Sequence, residues 1–309
     1  MNQAKVLNFF GLLLIMFGIS FAIPLFVAIF YGESLIRVFA LGMSILVLIG
    51  FLSWFFTKDN KQELSLSDGF VITVLFWIVL SVSGSIPFIL FGFGVVDSFF
   101  ESMSGITTTG ATVIAGLDDL PKSLLIYRQL LQWLGGMGLI VLAIAVMPLL
   151  GIGGGQLFKT QTPGPMSEQR LTPRITSTAR ALWSIYFVLT VLCIFAYRLA
   201  GMSYFDAVSH AFSTVSIGGF STHDLSIGFF DSLSIEIVCI TFMLLSAMSF
   251  AVHYSAIYRK QVLKYFYDPE LRFFVSLLIV ILGLVCLSLF ANDIDNPIRS
   301  GLFQTVSIL

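Results

Sequence analysis

The sequence predicts an all-α polytopic membrane protein, with two leading helices followed by helix–pore-loop–helix repeats. Three observations predict it. Hydrophobic residues make up 57% of the 309 positions and charged residues only 11%, against about 45–50% and about 25% in soluble domains. Seven apolar runs are each long enough to cross a bilayer core of about 30 Å, which takes about 20 helical residues. Two polar turns, too far apart to belong to one element, repeat each other at a constant offset of 109 residues. The mean hydropathy of +0.98 excludes a disordered chain and a soluble enzyme on a small anchor. The net charge of −1 leaves no footprint for nucleic acid.

The runs lie near 6–30, 36–56, 70–92, 124–150, 181–201, 234–257 and 273–291. Inside lipid every backbone polar group needs an internal partner, so each is expected to be a helix. The first is too long for the apolar part of a cleavable signal, about 7–15 residues, and counts as a span. With the N-terminus inside, eleven of the sixteen Lys and Arg fall on the inner side, which sets the orientation as N-terminus cytoplasmic. The acids Asp97, Asp118, Asp119, Asp206, Asp224 and Asp231 fall outside, where they raise the local cation concentration. The organisation expected is two leading helices over 1–69, a first repeat over 70–150, a cytoplasmic linker over 151–180 rich in Gly and Pro, a second repeat over 181–259, and the start of a third over 260–309. Thr172-Pro173 and Asp268-Pro269 each combine an N-cap with Pro at the first helical position, and so open the helices that follow. Cys193, Cys239 and Cys286 sit in apolar runs with no metal-ligand spacing and are expected to be buried hydrophobes.

The two outer connections, 93–123 and 202–233, carry the functional signal. Each holds a short amphipathic run ending in a Thr/Ser/Gly cluster: Asp97 to Thr112 in the first, Asp206 to Ser221 in the second. At the offset of 109, Asp97 falls on Asp206, Ser104 on Ser213, Gly110 on Gly219, and Gly92 on Gly201. Asp97 and Asp206 are expected as N-caps of helices of about ten residues, roughly 15 Å. Such a helix dips into the membrane and returns, and backbone without helical hydrogen bonds is tolerated at that depth only where it lines a water-filled path. The helix C-terminus favours a cation there. Glycine permits angles that a Cβ resists, and successive carbonyls then replace the ion's hydration shell, as in the filter of a K+ channel, where four such loops surround one axis. Thr108-Thr109-Gly110-Ala111 and Ile217-Gly218-Gly219-Phe220 read as degenerate versions of that loop. A third copy begins at Ser300–Ser307, which matches Asp97–Ser104 at an offset of 203 and would place its glycine past Leu309. The expectation is of a fragment lacking half of repeat three and all of repeat four, and unable to conduct alone.

With these residues assembled, the chain resembles the Trk/Ktr/HKT family of K+ transporters, in its bacterial TrkH type. The resemblance spans the whole chain. It rests on Thr107-Thr108-Thr109-Gly110-Ala111, on Ser216-Ile217-Gly218-Gly219-Phe220-Ser221-Thr222, and above all on Gln132-Trp133-Leu134-Gly135-Gly136-Met137-Gly138. It implies potassium uptake across the bacterial inner membrane, with the transported K+ as the only metal, held by the backbone carbonyls of Thr108, Thr109 and Gly110 and of Ile217, Gly218 and Gly219, no tightly bound cofactor and no catalytic residue, four pseudo-repeats around one pore, a homodimer, and a cytosolic nucleotide-binding regulatory subunit. Channel and symporter are both compatible with such a filter.

Other readings stand beside this one. Glu101 on the first short helix is either a functional intramembrane carboxylate or the partner of Arg128. His210 and Gln304 hold its place in the other repeats, which argues against a shared metal or proton role. Gly135, Gly136 and Gly138 are expected as a packing face. A polytopic membrane enzyme would bury catalytic carboxylates or His/Ser pairs, which are absent from the spans, and neither an enzyme nor a structural membrane subunit without ion flux needs two matching re-entrant turns.

Overall fold

The computed structural model describes residues 3–58, 66–146, 175–294 and 296–308. Helices α1 (Gln3–Ser20) and α2 (Ala22–Tyr31) form one near-continuous span of 29 residues, and α3 (Ile36–Thr57) returns beside it. Glycines bring α1 and α3 together: a Cβ on Gly11 would lie 2.7 Å from the Trp54 nitrogen, and one on Gly50 2.7 Å from the Gly11 carbonyl. The helix pair is held by close packing of small residues, which is what lipid, itself apolar, leaves as a driving force.

The first repeat is α4 (Leu66–Phe91), the short α5 (Val95–Ile106), an irregular return, and α6 (Lys122–Val146). The second is α7 (Ile175–Leu199), the short α8 (Tyr204–Val215), a second irregular return, and α9 (Leu233–Ala247) continued by α10 (Phe250–Tyr258). After the one-turn α11 (Lys264–Tyr267) come α12 (Pro269–Ala291) and α13 (Pro297–Ile308). Five helices among the described residues are long and apolar enough to cross a membrane, with α9 and α10 as a sixth, broken one. The run 234–257, expected as one straight span, is bent by 93° between α9 and α10. Its apolar composition is continuous, but the chain leaves helical angles at Met248 and Ser249 (ψ 144° and 122°). Asp268 caps α12 as expected, accepting from the Leu271 N–H at 3.1 Å with Pro269 next. The Thr172-Pro173 start and most of the 151–180 linker lie outside the described residues.

Helix α6 is the centre of the fold. Every residue from Ser123 to Gln132 is buried, as a helix surrounded by protein on all sides requires. On one side Tyr127 packs edge-on to Phe21 and Phe39 and against Phe88, at centroid distances of 5.3–5.4 Å, and its hydroxyl donates to the Gly84 carbonyl. On the other side Trp133 stacks on Phe212 of α8 and donates to Thr190 of α7. By contrast α12 has no buried residue. Glu33, after α2, caps α6 by accepting from the Lys122 and Ser123 amides and the Ser123 hydroxyl.

Candidate ion filter

The offset of 109 appears in the backbone. Helix α5 starts at Val95 and α8 at Tyr204, and they end at Ile106 and Val215. Gly92 and Gly201, before them, both take positive φ, 119° and 109°. Their N-caps are Gly94 and Ser203, so Asp97 and Asp206 stand three residues in rather than at the cap as expected. Ser203 accepts from the Asp206 N–H at 3.1 Å and donates to the Asp206 carboxylate at 2.7 Å. An aspartate near the helix start favours either position through the dipole, and the first residue with extended angles decides which is the cap.

The C-termini match as closely. The Thr108 and Thr109 amides donate to the Gly105 and Ser104 carbonyls at 3.0 and 2.9 Å, and the Ile217 and Gly218 amides to Thr214 and Ser213 at 3.1 and 2.8 Å. Thr108 and Ile217 sit at φ 54° and 53°, followed by Gly110 and Gly219 at φ 78° and 86°. Positive φ at a β-branched residue is a genuine outlier, and such strain persists only where the surroundings impose it, characteristically at functional sites. Here it occurs twice, at equivalent positions. From these turns the chain runs without helix or strand through residues 109–116 and 218–221.

Among the described residues the carbonyls of Thr108, Thr109, Gly110, Ile217 and Gly219 accept no hydrogen bond. Ile217 and Gly219 are exposed while Gly218 and Phe220 are buried, so the second turn alternates between open space and protein. Gly218, expected among the filter carbonyls, is engaged within the protein. Its carbonyl accepts from the Gln132 side-chain amide at 2.6 Å and lies against the Gly110 Cα, where any Cβ would collide with it. The Gln132 carbonyl oxygen in turn accepts from the Phe220 N–H at 3.0 Å. One buried amide thus holds both sides of the second turn.

The return segments are braced in parallel. In the first repeat Glu101 accepts from the Thr112 hydroxyl at 3.0 Å and the Val113 N–H at 3.2 Å. In the second, His210 takes the place of Glu101 and Ser221 that of Thr112: the His210 Nδ1 donates to the Asp206 carbonyl, so its Nε2 accepts from the Ser221 hydroxyl at 3.0 Å. Of the two readings of Glu101, the structure shows the pairing. Arg128 Nε donates to it at 2.7 Å, with both side chains fully buried. The same guanidinium donates to the Ser221 carbonyl at 3.0 Å and the Thr112 hydroxyl at 3.1 Å, and lies 4.4 Å from the Phe220 ring. Arg128 therefore ties the first return segment to the second.

Gly135 and Gly136 face the ends of the two short helices. A Cβ on Gly135 would collide with the Ile106 carbonyl, and one on Gly136 would lie 3.0 Å from the Ser216 Cβ and 2.8 Å from the Tyr186 hydroxyl. The glycine motif is a packing face, as expected: Gly135 and Gly136 pack the ends of the two short helices, and Gly138 faces the Phe76 ring.

Beyond the two turns, acids join the return segments to each other. Asp224 accepts from the Gly116 and Leu117 amides, both at 3.1 Å, and Asp118 pairs with His223 at 2.5 Å. That bond holds the Asp118 carboxyl below its ordinary value. His223 also stacks on Phe229 at 3.5 Å. His223, isolated in the sequence, thus helps to clasp one repeat's rim to the other's. No group of three His, Cys, Asp or Glu among the described residues is arranged to hold a metal ion. In the third copy, α13 is anchored through Arg299, which makes two 2.8 Å bonds to Glu236 of α9.

The family model for the cation transport protein TrkH matches residues 35–300. The Trk system potassium uptake proteins TrkH of Halomonas elongata and Vibrio parahaemolyticus are 46% and 47% identical to this chain over its full length, and that of Escherichia coli K12 is 42% identical. The crystal structure of the potassium transporter TrkH from Vibrio parahaemolyticus superposes on the whole chain with a TM-score of 0.88 at 44% identity. The chain spans about 65% of the length of these relatives and 64% of that structure. The family is one of transport proteins and not of enzymes. With its apolar spans, duplicated short helices and family match over most of its length, the chain belongs to the TrkH family of cation transport proteins and is a multi-pass membrane protein.

Proposed function

We propose that this chain forms part of a potassium uptake pathway through the bacterial inner membrane, and that its two irregular turns supply part of the filter. A dehydrated K+ needs a cage of oxygens, and the carbonyls of Thr108, Thr109, Gly110, Ile217 and Gly219 are the ones left without partners. Gly218 belongs to the same turn in a different role: its carbonyl, drawn to Gln132, orients its neighbours. The observation that carries this reading is the pairing of strained positive-φ residues, Thr108 with Ile217 and Gly110 with Gly219, at the ends of two equivalent short helices. The relatives' names as potassium uptake proteins support K+ as the ion.

The domain division is proposed as two leading helices over 1–69, repeats over 70–150 and 181–259, the linker 151–180 between them, and a third repeat starting at 260. The Lys/Arg bias supports a cytoplasmic N-terminus. A homodimer and a cytosolic nucleotide-binding regulatory subunit are proposed from the family resemblance. The test is uptake of Rb+ and Na+ into liposomes carrying the chain extended to the length of its relatives, as wild type and as the Gly219→Ser variant. Beyond its chain neighbours nothing lies within 4 Å of a Cβ at Gly219, so the variant carries only the strain of its φ of 86° and should fold with lost discrimination between the ions. Unchanged discrimination would remove the second turn from the ion path.

A further inference from the structure

The segment after the broken span has a composition unlike the rest of the surface. Helix α9 begins beside Arg299 at the end where the short helices start, so α10 and α11 lie at its other end. Bent by 93° from α9, α10 runs roughly across the direction of the span. Between Tyr258 and Arg272 stand four basic residues, Arg259, Lys260, Lys264 and Arg272, against two acids, Asp268 and Glu270, of which Asp268 is engaged as the cap of α12. Interleaved with them are exposed apolar and aromatic side chains, Val262, Leu263, Phe266 and Tyr267, the last two more than 70% exposed. Aromatic rings with Lys and Arg at the end of an apolar span mark the level of lipid headgroups.

Lys260, Gln261, Val262, Leu263, Lys264 and Tyr267 line a shallow, open depression of about 500 Å³. The two ammonium groups and the Gln261 amide supply hydrogen-bond donors beside exposed apolar side chains, and a phospholipid uses both: donors for its anionic phosphate and apolar surface for its acyl chains.

The depression is also tied to the break. The His253 Nε2 donates to the Leu245 carbonyl of α9 at 2.8 Å, so its Nδ1 accepts from the Tyr265 hydroxyl of α11 at 2.7 Å. Lys264 Nζ donates to Ser255 Oγ of α10 at 3.1 Å. An occupant of the depression thus presses on α11, which holds α10 against α9.

We propose that residues 258–267 bind the phosphate headgroup of an anionic phospholipid in the inner leaflet, and that this lipid sets the angle between α9 and α10. The proposal rests on the orientation given above and not on the filter. Its test is lipid titration of the purified protein in detergent, followed by native mass spectrometry. Phosphatidylglycerol should bind measurably more tightly than phosphatidylcholine. Lys260→Gln should weaken the phosphatidylglycerol adduct about five-fold, and Lys260→Gln with Lys264→Gln about thirty-fold, while Arg37→Gln, an exposed charge near the opposite end, leaves it unchanged. Hydrogen exchange at residues 246–250 should slow when phosphatidylglycerol is added, and only with the lysines present. Equal binding of the two lipids, an undiminished adduct in the double variant, or the same loss with Arg37→Gln would overturn the proposal. So would protection by inorganic phosphate equal to that by the lipid, which would make this a soluble-anion site, or protection only when a cytosolic protein is present, which would make it a protein interface.

Discussion

Removing the Gln132 amide is the sharpest test of how the second turn is held. Gln132→Leu keeps much of the side-chain volume but deletes one donor and one acceptor, leaving the Gly218 carbonyl and the Phe220 N–H without partners in a fully buried setting. Each buried backbone group left unpaired costs about 1–3 kcal/mol, so the native conformation of the turn loses about 2–6 kcal/mol. The strain stored at Ile217, of order 1–3 kcal/mol, is then no longer opposed, and the turn relaxes toward ordinary angles. Gln132→Glu separates the two bonds: the carboxylate still accepts from Phe220 but repels the Gly218 carbonyl. The assay is Rb+ against Na+ flux in liposomes, read beside the thermal unfolding midpoint in detergent. Discrimination should fall in both variants, and the unfolding midpoint should fall in Gln132→Leu. Wild-type selectivity in Gln132→Leu at an unchanged midpoint would refute the claim that this amide shapes the turn.

Four further outcomes are expected. Arg128→Met should destabilise the protein by about 3–5 kcal/mol because it strands the buried Glu101, and Arg128→Met with Glu101→Leu should recover part of the loss; additive losses in the thermal midpoint would deny the coupling. Gly110→Ala should abolish flux, since it combines positive φ with a clash against the Gly218 carbonyl, whereas Gly92→Ala, with nothing within 4 Å, should cost only the backbone strain, about 1–2 kcal/mol; equal flux in the two would contradict the geometry. Asp118 has its carboxyl lowered by His223, so its contribution is present above the unfolded value of 3.8 and is lost as pH falls below that through the folded value. Hydrogen exchange at Asp224, whose amide donates to the Asp118 carboxylate at 3.4 Å, should accelerate over that acid window in the wild type and show no such step in Asp118→Asn. Single cysteines at Asp119 and at Lys260 should label with an impermeant reagent from the outside and only after permeabilisation, respectively; external labelling at position 260 in intact cells would reverse the orientation.

The sequence by itself determined the class of this protein and the equivalence of its two halves. Apolar length fixes spans because lipid offers backbone groups no other partner. The offset that aligns Gly110 with Gly219 also aligns Thr108 with Ile217, whose shared backbone angles follow from shared local connectivity. What the sequence left open were interactions between parts far apart in the chain. It could offer Glu101 either a function or a pairing with Arg128, and only the packing of α6 against α5 brought the two together at 2.7 Å. Nothing local marks Gln132 as the residue that takes the Gly218 carbonyl, because its partners lie 86 and 88 positions away. Asp97 and Asp206 show the limit at closer range: the aspartate favours a helix start, but the backbone turn at Gly94 and Ser203 chose where it lies. The break at Met248 was hidden for a similar reason. Residues 234–257 carry the composition of an unbroken span, and the bend is stabilised from outside, by His253 joining Leu245 to Tyr265. Hydropathy fixes which segments enter the membrane, whereas the partners of each buried polar group, and hence the shape of the filter, are settled only when the helices pack.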